Sequence, residues 1–136
     1  MLLKSGSTAL LLMALLAAPA MALAGGNANQ EISTAATHAA MAGNAADTAT
    51  AIMHFHHVIN CLVGPKNRMF DAAVGNPCQD MGNGAMNDVG KKSPQYTQLQ
   101  QVLAMAERAV HAKNLSESQQ YAAHISQMLM KVKAGG

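Results

Sequence analysis

The chain has 136 residues, with nine Lys and Arg against seven Asp and Glu, a formal charge of +2, and only 3% aromatic residues. So even a balance, with no basic patch interleaved with aromatics, argues against nucleic-acid binding. Half of the residues are hydrophobic, but the many alanines and few large rings suit closely packed helices better than a sandwich or barrel of strands.

The N-terminus carries Lys4, an apolar run from Ala9 to Ala18, Pro19 and the small-residue pattern Ala22-Leu23-Ala24. A positive start, an apolar run too short to span a bilayer and an Ala-x-Ala site together make a secretory signal. Cleavage is expected after Ala24, leaving residues 25–136 as one exported domain, in the periplasm or secreted, with no further membrane span.

Gly25 to Asn29 reads as a flexible lead. From Gln30 the alanine-rich sequence predicts a first helix, with Ile32, Ala35, Ala36 and Ala39 on one side. Gly43-Asn44 is expected to end it, because both residues tolerate the left-handed conformation found after helix C-termini. A second helix is expected from about Ala46, with Asp47 in its first turn, to Leu62. One continuous helix from Gln30 to Leu62 is the competing reading.

On that second helix Thr48, Ala51, Ile52, Phe55, Val58, Ile59 and Leu62 recur at steps of three and four and form an apolar stripe. The opposite arc carries Met53, His54, His57 and Cys61, with His56 at its edge. Met53 with His57, His54 with His57, and Met53 with His56 are spaced to approach a common point. Neutral imidazoles suit copper, zinc or nickel, and thioethers suit monovalent copper. The stretch is therefore a candidate metal site, copper first, needing further donors from another segment or from water. The plain alternative is solvated or hydrogen-bonded histidines, with Met53 packed on a neighbouring helix.

Cys61 and Cys78 are the only cysteines, and in an oxidising compartment they are expected to pair. Chain-entropy arguments give such a bridge roughly 3 kcal/mol. A reduced thiolate site is the alternative.

Between Val63 and Pro94 the density of glycine and proline excludes long regular elements. NRMFDAAV is expected to form a short helix capped by Asn67 and ended by Gly75. The loop carries Met69, Met81 and Met86. It either folds over the face of His54 and His57 to complete a metal site, or Met69 and Phe70 plug the end of the domain while Met81 and Met86 stay exposed. Asp80, Asn83, Asn87 and Asp88 do not fit the EF-hand spacing, and there is no Cys-x-x-Cys-His haem motif.

Beyond the loop, TQLQQVLAMAERAVHAK predicts a third helix burying Leu99, Val102, Leu103, Ala106 and Val110. After an Asn114-Leu115 turn, Ser116-Glu117-Ser118-Gln119 reads as the capping box of a last helix that buries Tyr121, Ala122, Ile125, Met128, Leu129 and Val132. A shift of 70 residues lays Asn44 on Asn114, Asp47 on Glu117 and His54 on His124. The fold expected is therefore all-α, an antiparallel four-helix bundle of two hairpins with a long disulfide-tied loop between the second and third helices.

The remaining donors are His38 with Met41 on the first helix, His111 on the third, and His124 with Met128 on the last. Six histidines and eleven methionines, Met1, Met13 and Met21 in the leader, are a donor-rich set for a chain with so few charges. The segments THAAMAGNAADTATAIMHFHH and VHAKNLSESQQYAAH resemble the small metal-binding proteins of the bacterial periplasm, a four-helix-bundle family. That resemblance implies surface histidines binding copper or other divalent ions, with a role in scavenging or storage. It makes His38, His54, His57, His111 and His124 plausible outward-facing ligands. The family's seven-residue histidine repeat is absent here, and the disulfide loop is foreign to it.

The function expected is non-catalytic copper buffering, scavenging or delivery through His54, His57, Met53, His56, His38 and His124. No acid pair, nucleophile elbow or phosphate loop supports an enzyme. The competing function is a structural or chaperone-like envelope module that offers the methionines of its loop to a protein partner.

Overall fold

The computed structural model describes residues 26–134; the leader expected over 1–24 lies outside them. Among the described residues there are five α-helices and no strand, so the all-α expectation holds. The helices are α1 (Ala28–Gly43), α2 (Thr48–Val63), α3 (Ala85–Val89), α4 (Pro94–Ala109) and α5 (Leu115–Ala134). None is long and apolar enough to cross a membrane.

Each long helix begins at a side chain that satisfies its free N–H groups. Asn27 accepts from the Gln30 N–H at 3.1 Å and Asp47 from the Thr50 N–H at 2.8 Å. Ser93 accepts from Gln95, with Pro94 opening α4 at the one position where a missing N–H costs nothing. Asn114 accepts from the Glu117 N–H at 2.9 Å while the Glu117 carboxylate accepts from the Lys113 N–H at 2.8 Å. The last helix is thus capped by Asn114 and not by the predicted Ser116.

The two-helix reading of residues 30–62 is the observed one, but its reason differs. Asn44 has φ −102°, not a left-handed value. Its side-chain amide instead donates to the Ala40 carbonyl at 2.9 Å, capping α1 from the side. The 70-residue register also fails: the starts of α2 and α5, Thr48 and Leu115, are 67 positions apart.

The core is built as the periodicity predicts. Ala51, Phe55, Val58, Ile59 and Leu62 of α2 are buried against Ile32, Ala35 and Ala39 of α1, Leu99, Val102 and Ala106 of α4, and Ala122, Ile125, Leu129 and Val132 of α5. Ile52, Leu103, Val110, Tyr121 and Met128 are only half-buried. Helix α1 packs chiefly on α2 and α5, and α4 on α5 and α2.

The connection from α2 to α4 is irregular, as its glycines and prolines require. The short helix expected over NRMFDAAV shrinks to a 3-10 turn at Ala72–Val74, because Asn67 and Asp71 each bond the backbone two residues on and hold local turns instead. Gly64 ends α2 at φ +75°, and Gly84 sits at φ +100°. A Cβ on either would collide with the other's strand of chain, so these two glycines let the returning loop lie directly on the end of α2. Met86 of α3 is buried and Met69, Phe70 and Met81 pack part-buried on the core. Met81 sulfur accepts from the Thr34 hydroxyl at 3.5 Å. The loop methionines therefore turn towards the core instead of spreading over a surface.

Candidate metal centre

Helices α1 and α2 are joined by only four residues, so residues at nearly the same distance from the join come close to one another. His38 of α1 meets His54 of α2, their Nδ1 atoms 3.1 Å apart. His57, one turn beyond His54, completes the group, with ring centroids 4.5 Å from His38 and 5.7 Å from His54. One ring nitrogen from each of the three lies within 4.8 Å of the others.

Three imidazole nitrogens bound to one ion at about 2.1 Å stand roughly 3.2–3.6 Å apart. The His38–His54 pair, at 3.1 Å, is close to that spacing, and a nitrogen of the third lies within 4.8 Å of both. The donor set is all nitrogen: both cysteines are consumed in the Cys61–Cys78 disulfide, and there is no free cysteine.

The protons are arranged to suit. Two Nδ1 atoms 3.1 Å apart can share only one proton, so at least one of them presents a lone pair. His57 Nε2 lies 2.7 Å from the Val74 carbonyl. A carbonyl only accepts, so Nε2 carries the proton and His57 Nδ1, buried and without any hydrogen-bond partner, carries the free lone pair. Burial, then the neighbouring His57 and His54, hold His38 down at about 4 from an ordinary 6.5. Burial and His57 also lower His54. Both are thus neutral imidazoles at neutral pH, and the shared proton must leave the pair before both Nδ1 atoms can bind an ion.

The other predicted donors fall outside this group. His56 sits 100° round the helix from His57 and faces the Asp71 carboxylate at 3.7 Å instead of joining the trio. Met53 is 37% exposed and Met41 45%, on the same two helices as the trio. His111 is exposed in the turn after α4, which ends at Ala109 and so stops short of the third helix expected to carry it, and His124 is exposed on α5; neither belongs to the trio. His124 lines a shallow groove with Met105, Glu117 and Tyr121. Cys61, placed by the helical wheel beside His54 and His57, is fully buried by the loop it is tied to.

Two buried polar residues escaped the sequence reading. Asn60, 1% exposed, donates to the Asp71 and Gly75 carbonyls, each at 2.8 Å, and accepts from the Asp71 N–H at 2.8 Å. Glu31, also 1% exposed, accepts from the Gly84 N–H at 2.9 Å through one oxygen, while the other is buried without a partner. Burial raises Glu31 to about 7, the Gly84 N–H lowers it and Asp88 beside it raises it further.

No protein-family model, no curated protein and no solved structure matches the chain. The likeness to the periplasmic metal-binding proteins rests on the residue pattern alone.

Proposed function

We propose that this protein is an exported, non-catalytic metal carrier that holds one transition-metal ion, copper first, at His38, His54 and His57, and buffers or delivers it in the periplasm. The observation that carries the reading is the convergence of three ring nitrogens from two helices within 4.8 Å, one of them with its second nitrogen already tied to a carbonyl. Metal-binding histidines are characteristically oriented in that way. Among divalent ions, an all-imidazole site binds copper most tightly by the general order of affinities. Met53 and Met41, exposed on the same two helices, add soft donors suited to monovalent copper arriving or leaving. In this reading the leader exports the chain, and the four long helices form an antiparallel bundle of two hairpins whose first hairpin carries the site.

The test is calorimetric titration of the oxidised mature protein with divalent copper, zinc and nickel, and with monovalent copper under anaerobic, thiol-free conditions. The titration is repeated on His38→Ala and on His54→Ala with His57→Ala. One tight equivalent that these substitutions abolish supports the reading. Binding no tighter than to an exposed histidine, or binding that survives all three substitutions, defeats it.

A further inference from the structure

A histidine offers two nitrogens, and which one faces an ion is decided by what holds the other. At His57 the holder is a backbone carbonyl on an irregular loop, a group with no rigidity of its own. The carbonyl belongs to Val74, in the last residue of the 3-10 turn. What fixes that turn is Asn60, one helical turn after His57 on the same face of α2. Its amide donates to the carbonyls of Asp71 and Gly75, on either side of Val74, and its oxygen accepts from the Asp71 N–H. All three bonds are 2.8 Å long and the side chain is buried. A buried asparagine on an otherwise apolar stretch is costly unless satisfied, and here it is satisfied entirely by the loop.

We infer that Asn60 is the positioning residue of the metal centre: by clamping residues 71–75 onto α2 it sets the Val74 carbonyl against His57 Nε2–H and so presents the His57 Nδ1 lone pair to the ion. The inference rests on the metal reading of the trio. It assigns His57 coordination through Nδ1, and it makes the loop, which supplies no ligand, part of the site. The loop's contribution is orientation: one backbone oxygen selects the tautomer before any ion arrives.

The tautomer is measurable without metal. Nitrogen–proton NMR of the imidazoles in the oxidised apo protein is expected to show His57 protonated at Nε2 with a bare Nδ1. In Asn60→Ala the signal is expected to move to the mixed tautomer of a free imidazole, and metal affinity to fall about 10- to 100-fold, the usual cost of losing an outer-shell partner. Asn60→Gln, which keeps the same groups on a longer arm, is expected to recover part of both. Should Asn60→Ala fail to fold, the wild-type spectrum still decides: His57 protonated at Nδ1 overturns the inference. It is also overturned if Asn60→Ala binds metal as tightly as wild type, or binds more weakly with the His57 tautomer unchanged. A wild-type protein that binds no metal at all removes the reading beneath it, an outcome distinct from each of these.

Discussion

Glu31 and His38 stand on the same helix two turns apart, each taken largely out of water, and protons act on them in opposite directions. Burial holds His38 at about 4, so the folded protein resists protonating it. Burial raises Glu31 to about 7, so the folded protein resists ionising it. Both effects have one physical origin, the cost of placing a charge in a poorly solvated site. They differ in what they leave exposed to chemistry. At the trio, neutrality leaves lone pairs free for a metal; at Glu31 it removes a charge that has no counter-ion, beneath the turn that carries Gly84.

The largest expected effect breaks the trio. With His54→Ala and His57→Ala together, copper affinity is expected to drop to that of an exposed histidine, several orders of magnitude below a three-nitrogen site. The thermal shift that saturating copper gives the wild type is then lost as well; that shift corresponds to about 2.7 kcal/mol at a hundredfold excess over Kd. Calorimetry and thermal melts read both. The same titrations across pH test the depressed histidines. Between pH 6.5 and about 4 the fall in affinity is expected to be shallower than the three-proton dependence of three ordinary imidazoles, since His38 and His54 stay neutral below 6.5. A full three-proton slope in that range would show that the trio is solvated.

Next in size are the opposed stability slopes. His38 has a folded value below its unfolded one, so its contribution is present above pH 6.5 and is lost as pH falls towards 4. Glu31 has a folded value above its unfolded one, so its contribution is present below about 4.5 and is lost as pH rises through 7. Each displacement corresponds to roughly 3 kcal/mol. In the metal-free wild type the two nearly cancel between pH 4 and 8. Replacing one residue unmasks the other. Glu31→Gln, which keeps an acceptor for Gly84, is expected to gain about 3 kcal/mol over wild type at pH 8 and nothing at pH 4. His38→Gln is expected to do the reverse. Urea unfolding at the two pH values settles it, and parallel pH profiles for all three proteins would refute the comparison.

The sequence made one side of this comparison half visible and hid the other. The apolar stripe of α2 was strong enough to place His54 and His57 together, and compartment reasoning paired the cysteines. His38 was named as a donor but not joined to them, because alanine on several faces of α1 blurs which face is buried: Ala42 is buried while Ala36 is only half so. A signal was there, since reflecting the chain about the Asn44–Asp47 join puts residue 38 opposite residue 53, next to His54. Glu31 carried no such signal. Its burial depends on the Gly84 N–H, 53 positions away, and on two glycines letting the loop touch down. Asn60 was equally hidden, because its partners are loop carbonyls that any sequence would supply.

The smallest effect serves as the control. Asn114 opens α5 and bonds no residue of either polar site, accepting from the Glu117 N–H while Glu117 reaches back to Lys113. Its spacing to Glu117 is that of a capping box, with asparagine in the first place. Asn114→Ala is expected to cost about 1 kcal/mol. Asn114 carries no ionisable group, so the loss should be the same at pH 5 and pH 8, and copper affinity should not move. Ser116→Ala, the cap that the local sequence suggested, should cost much less because helix α5 has already begun at Leu115. If Asn114→Ala weakened copper binding, metal affinity would be following global stability. The trio would then owe its geometry to the bundle as a whole and not to the α1–α2 pairing that brings His38 to His54.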